Sequence, residues 1–98
     1  MVALRNMAEK YRNQEFIDQI TKRIEEIRIE KGIVQEDIVD RTGFTLKQVW
    51  LMLSGKSNFA ISNLEAIAKA LEVQPKELLD FDIKFTKYPP TRKERKGK

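Results

Sequence analysis

The stretch GIVQEDIVDRTGFTLKQVWLMLSG, residues 32–55, decides the fold. It holds two short apolar-periodic segments, Gln35 to Thr42 and Thr45 to Leu53, separated by Gly43 and Phe44 and bounded by Gly32 and Gly55. Glycine reaches the left-handed backbone conformation that closes a helix, so three glycines at these spacings mark three helix ends. Thr45 with Gln48 three residues on is a T-x-x-Q capping box, which predicts a helix start at that point.

Working outward, Ile17, Ile20, Ile24 and Ile27 recur on one helical face until Lys31 and Gly32, predicting a first core helix. Downstream, Ser62 and Glu65 match a second capping box ahead of the apolar stripe Leu64, Ile67, Ala68 and Leu71. Pro75 suits a first helical position, where its missing N–H is not needed, and predicts a short fifth helix over Lys76 to Asp80. Residues 3–12 carry Leu4, Met7, Ala8 and Tyr11 at spacings of three and four, the pattern of an N-terminal helical arm.

After Asp80 the period changes. Phe81, Asp82, Ile83, Lys84, Phe85 and Thr86 alternate apolar and polar as a half-buried strand does. Two readings stand: a short strand pairing across a two-fold dimer, and an extended strap whose aromatics pack on the core. Pro89 and Pro90 then exclude helix, and Thr91 to Lys98 is a basic tail with nothing apolar to bury. The expected architecture is therefore all-α. It divides into an arm (1–16), a five-helix domain (17–81), a strap or strand (82–88) and a basic tail expected to be disordered (89–98).

Composition removes most chemistry. The 98 residues include no His and no Cys, so a Ser-His-Asp triad, a Cys-His pair, a zinc finger and a disulfide are all excluded. The carboxylates are spread along helical segments, and the expectation is a non-enzymatic protein without metal or cofactor. No apolar run approaches the roughly 20 residues of a membrane span and no secretory leader is visible, so a cytoplasmic location is expected.

The formal charge is +4, but unevenly placed. Residues 17–80 carry nine basic and eleven acidic side chains, whereas residues 81–98 carry seven and two. High basicity is thus a property of the tail. Within the acidic centre, Arg41 to Leu64 contains Arg41, Lys47 and Lys56 and no carboxylate, leaving one locally positive side.

Two helices joined by a glycine-containing turn, the second basic near its start, read as a helix-turn-helix whose second helix can enter a major groove. The run ITKRIEEIRIEKGIVQEDIVDRTGFTLKQVWLMLSGKSNFAISNLEAIAKALEVQPKELLDF, residues 20–81, resembles the Cro/lambda-repressor-like (XRE-type) helix-turn-helix domain. The features that carry the resemblance, in order, are Arg28 with the Glu30-Lys31-Gly32 helix end, Gln35, Gly43, Gly55-Lys56 and LEAIAKALEV. Its C-terminal half is particularly similar to small bacterial regulators, including restriction-modification controller proteins.

That resemblance implies a homodimer on double-stranded DNA, with recognition helices in successive major grooves of a pseudo-palindromic operator, about 34 Å apart. It implies phosphate contact for Gln35 and for the loop residues Lys56, Ser57 and Asn58. Base readout falls to the start of the recognition helix, where Lys47 suits guanine and Gln48 either suits adenine or only completes the cap with Thr45. Leu46, Lys47, Trp50, Leu51 and Ser54 are expected to point outward, and Val49, Met52 and Leu53 inward. Three of the five outward positions are large and apolar where the family is usually polar, so the face contacts either thymine methyls and sugar edges, the N-terminal segment or a protein partner. Leu53 also stands where many members place a Glu that pairs with the Arg matched by Arg28. Arg41 is expected to pair with Asp37 or another nearby carboxylate. The expected dimer interface comprises Leu78, Leu79, Phe81, Ile83 and Phe85.

Overall fold

The computed structural model describes residues 11–90. The helical arm over residues 3–12 lies outside them except at Tyr11 and Arg12, as does the basic tail from Thr91. Four α-helices follow one another: α1 Gln14–Lys31, α2 Gln35–Thr42, α3 Leu46–Leu53 and α4 Ile61–Ala70, and a 3-10 helix, Pro75–Leu79, succeeds them.

Asn13 starts α1, its side chain accepting the Phe16 N–H at 3.0 Å. The helix ends in a Schellman arrangement at Gly32 (φ 68°), where Ile33 N–H reaches Arg28 C=O at 3.0 Å and Gly32 N–H reaches Ile29 C=O at 3.2 Å. This closure turns Ile33 inward, and it is buried beside Ile20, Ile24 and Ile27. α2 starts where the Asp37 carboxylate accepts the Val34 N–H at 3.0 Å, and it stops at Gly43 (φ 85°). Thr42 then secures the turn, donating to Ile38 C=O at 2.7 Å and accepting the Phe44 N–H at 3.1 Å.

The core lies where α1, α2, α3, α4 and the 3-10 helix meet. Ile24, Ile38, Val49, Ile67, Leu71 and Leu78 are its largest fully buried side chains. Each removes from water an area that contributes about 1.5–3 kcal/mol. α2 packs against both α3 and α4, while α1 packs against α3 and the 3-10 helix. α3 thus rests on two neighbours, and among the described residues nothing covers its remaining face.

Three expectations need correction. The Ser62–Glu65 capping box does not form: α4 begins two residues earlier than that box requires, at Ile61, with Ala60 as an N-cap that makes no side-chain bond. Ser62 is then already inside the first turn, Glu65 pairs with Lys69 at 3.6 Å, and Ile61 is left 86% exposed. The fifth helix is a 3-10 helix, Glu77 N–H bonding Gln74 C=O at 2.9 Å, because five residues led by a proline are too few to propagate an α-helical ladder. Residues 82–90 have no regular secondary structure, so the alternation after Asp80 produces no strand within the single chain. The strap reading holds at Phe81, which packs edge-on to Phe16 with ring centroids 5.7 Å apart, but Phe85 and Tyr88 remain 80% and 78% exposed.

Candidate nucleic-acid interface

α3 is fastened by its two ends. At the start, the Thr45 hydroxyl accepts the Gln48 N–H at 3.1 Å and the Gln48 Oε1 accepts the Thr45 N–H at 2.9 Å. At the end, Ser54 N–H bonds Trp50 C=O at 3.0 Å and Lys56 N–H bonds Leu51 C=O at 3.0 Å around Gly55 (φ 79°). Val49, Met52 and Leu53 are buried, as their spacing requires. Outward stand Lys47, Leu46 at 53% exposure and Trp50 at 47%, with Leu51 half-buried at the edge.

This face carries a cation and apolar surface with no acidic side chain in its first turn. Among the described residues no carboxylate lies within ion-pair distance of Lys47 or Lys56. Lys56 and Asn58 are exposed and Ser57 is half-buried in the loop that leaves α3. Gln35 occupies the first position of α2, half-buried, and Glu36 and Asp37 follow it in the same turn.

Arg41 meets a carboxylate, as expected, but it is Glu72 and not Asp37. Its guanidinium donates to Ala70 C=O at 2.7 Å and lies 3.6 Å from Glu72. Lys31 joins it there, donating to Glu72 C=O at 3.1 Å, so two cations satisfy carbonyls at the C-terminal end of α4. Arg41 therefore supports the fold. Arg28 likewise finds its partner on its own helix: it meets Glu25 at 2.8 Å and donates to Ile33 C=O at 3.0 Å. Hydrogen bonding to Glu25 raises the Arg28 pKa above its ordinary value, partial burial opposes the shift, and the charge of Glu25 adds to it. Leu53 is 7% exposed and joins the apolar core.

Two polar residues absent from the sequence-derived set adjoin the α3 exit. Gln14 Nε2 and Arg12 Nη2 both donate to Gly55 C=O, at 2.9 and 3.2 Å, and Gln14 also bonds Asp18 at 2.8 Å. The start of α1 is thereby tied to the turn that leads into Lys56. These bonds span more than 40 residues, so no local pattern announces them.

Of the expected dimer residues, Leu78 is fully buried in its own chain and cannot face a partner, whereas Leu79, Ile83 and Phe85 are exposed and Phe81 is half-buried. Among the described residues no cluster of carboxylates could hold a metal ion, and no helix is long and apolar enough to cross a membrane.

Residues 23–84 match a family model described as the Cro/C1-type HTH DNA-binding domain. No curated protein matches the chain. Two solved structures are similar. The restriction-modification controller protein C.AhdI from Aeromonas hydrophila has a TM-score of 0.59 and 29% identity, over 63% of this chain and 94% of its own. The hypothetical transcription factor NHTF from Neisseria has a TM-score of 0.61 and 23% identity, over 89% of this chain and 91% of its own, and supports the fold.

Proposed function

The chain belongs to the Cro/C1-type helix-turn-helix DNA-binding family, and from that premise we propose a sequence-specific transcriptional regulator that binds a pseudo-palindromic operator as a homodimer. The observation that carries this reading is the outward face of α3. It is a helix capped by Thr45 and Gln48, free of acidic residues, and supported from behind by Val49, Met52 and Leu53. Such a helix enters a major groove with its N-terminal residues at the base edges.

In this reading Lys47 reads a guanine through O6 and N7, while Leu46, Trp50 and Leu51 lie against thymine methyls and sugars. Thr45 and Gln48 set the start of the helix and face the groove mouth. Gln35, at the start of α2, and Lys56, Ser57 and Asn58, after α3, grip phosphates on either side. The exposed Leu79, Ile83 and Phe85, with Phe81, supply the dimer contact. The likeness to C.AhdI, a restriction-modification controller, supports a regulatory role. The test is binding to selected duplexes: Lys47→Ala should lose discrimination at one base pair per half-site, and unchanged discrimination would refute the assignment.

One observation favours a second reading. Leu46 and Trp50 are about half exposed on the face that would meet DNA, and an exposed tryptophan among apolar neighbours is a common protein-contact anchor. A protein-interaction module of the antitoxin or accessory-subunit kind would use this face instead. It predicts that duplex selection enriches nothing, and that Trp50→Ala abolishes a protein contact.

A further inference from the structure

A groove on the flank of the domain is lined by Phe16, Ile20, Phe59, Ile61, Leu64 and Leu79, with Asn58 at its edge. It forms where α4, starting two residues early, leaves Ile61 outward beside Phe16 of α1 and Leu79 of the 3-10 helix. Ile61, Leu79 and Phe16 are 86%, 42% and 36% exposed, so among the described residues this apolar surface lacks a cover.

The same chain carries an apolar segment that lacks a site. Phe81 is anchored on Phe16, but beyond it the strap passes on the side of Asn13, Glu15 and Gln19, and leaves Ile83, Phe85 and Tyr88 in solvent. Ile83 and Phe85 share one face of an extended segment, with Lys84 on the other and Lys87 beyond. Apart from Asn58 the groove is lined by apolar side chains, which matches the apolar face formed by Ile83 and Phe85.

We propose that the groove of each protomer receives residues 83–88 of a second copy of this chain, Phe85 entering between Ile61 and Leu79 while Lys84, on the opposite face of the strap, stays in solvent. The exchange is reciprocal under a two-fold axis, so both grooves and both straps are covered at once. It rests on the homodimer reading and specifies which surfaces meet. A strap that crosses to the partner also explains why an alternating segment forms no strand in its own chain.

The absence of cysteine makes the test clean. Full-length Ile61→Cys and Phe85→Cys variants are prepared separately, mixed and mildly oxidised, and a double variant is oxidised alone; both positions are exposed enough that folding is unaffected. The expected result is a covalent heterodimer in the mixture, joined between positions 61 and 85 by peptide mapping. Closure between 61 and 85 only within one chain of the double variant would overturn the exchange and return the strap to its own groove. A dimer by sedimentation that forms no 61–85 link would overturn the proposal and leave the homodimer standing. A monomer at all concentrations would overturn both.

Discussion

The Gln48 side chain accepts the Thr45 N–H at 2.9 Å, and the Thr45 hydroxyl accepts the Gln48 N–H at 3.1 Å. This reciprocal pair satisfies two of the donors that a helix start leaves without partners. It also occupies the Gln48 oxygen that a bidentate contact to adenine would need. Thr45→Ala should therefore cost about 1 kcal/mol in thermal or denaturant unfolding. Gln48→Ala should lower stability more than it alters base preference, the opposite of Lys47→Ala.

Leu78 and Leu79 are neighbours with different tasks. Leu78 is fully buried against the core and Leu79 is 42% exposed. Leu78→Ala should destabilise the fold by about 2–5 kcal/mol, read from denaturant midpoints. Leu79→Ala should leave the unfolding of the isolated protomer within about 0.5 kcal/mol and weaken self-association in sedimentation.

Glu72 adopts φ 60° in the turn after α4, a conformation that costs a residue with a β-carbon about 1–2 kcal/mol. Its carboxylate pairs with Arg41 at 3.6 Å, but both side chains are largely exposed, and such pairs contribute little. Glu72→Gly should accordingly raise the melting temperature. A lower one would mean that the Arg41 pair outweighs the backbone strain.

Gly55 is constrained twice. Its φ is +79°, and an added β-carbon would stand 3.1 Å from Asp18 Oδ1 and 3.7 Å from Gln14 Nε2. Gly55→Ala should strain the turn and push on the network that joins α1 to the α3 exit. The expected outcome is a loss of about 1–2 kcal/mol in stability. Duplex affinity should fall as well, because the turn sets the position of Lys56. Gln14→Ala should reproduce the loss of affinity with a smaller loss of stability.

The helix-turn-helix was legible in the sequence because its punctuation is local. Gly32, Gly43 and Gly55 all adopt positive φ, and the Thr45 cap formed as its spacing foretold. The inward and outward faces of α3 were legible for the same reason, since helical periodicity alone separates Val49, Met52 and Leu53 from Lys47 and Trp50. What failed was decided at longer range. Ser62 and Glu65 have the right spacing for a cap, yet the chain enters α4 at Ile61. Arg41 could choose among several carboxylates, and tertiary packing set it beside Glu72, 31 residues away in sequence. The ties from Arg12 and Gln14 to Gly55 had no sequence signal at all. The alternation after Asp80 reports that one face of the segment seeks cover, without stating which chain supplies it.

The most direct test of the central claim is selection of duplexes from a random library by the full-length protein, at a salt concentration high enough to suppress tail-driven binding. Enrichment of a two-fold symmetric motif, with half-sites one helical turn apart and a guanine whose preference disappears in Lys47→Ala, is the predicted result. A folded protein that enriches no sequence would contradict the account and leave the Trp50 face as a surface for protein.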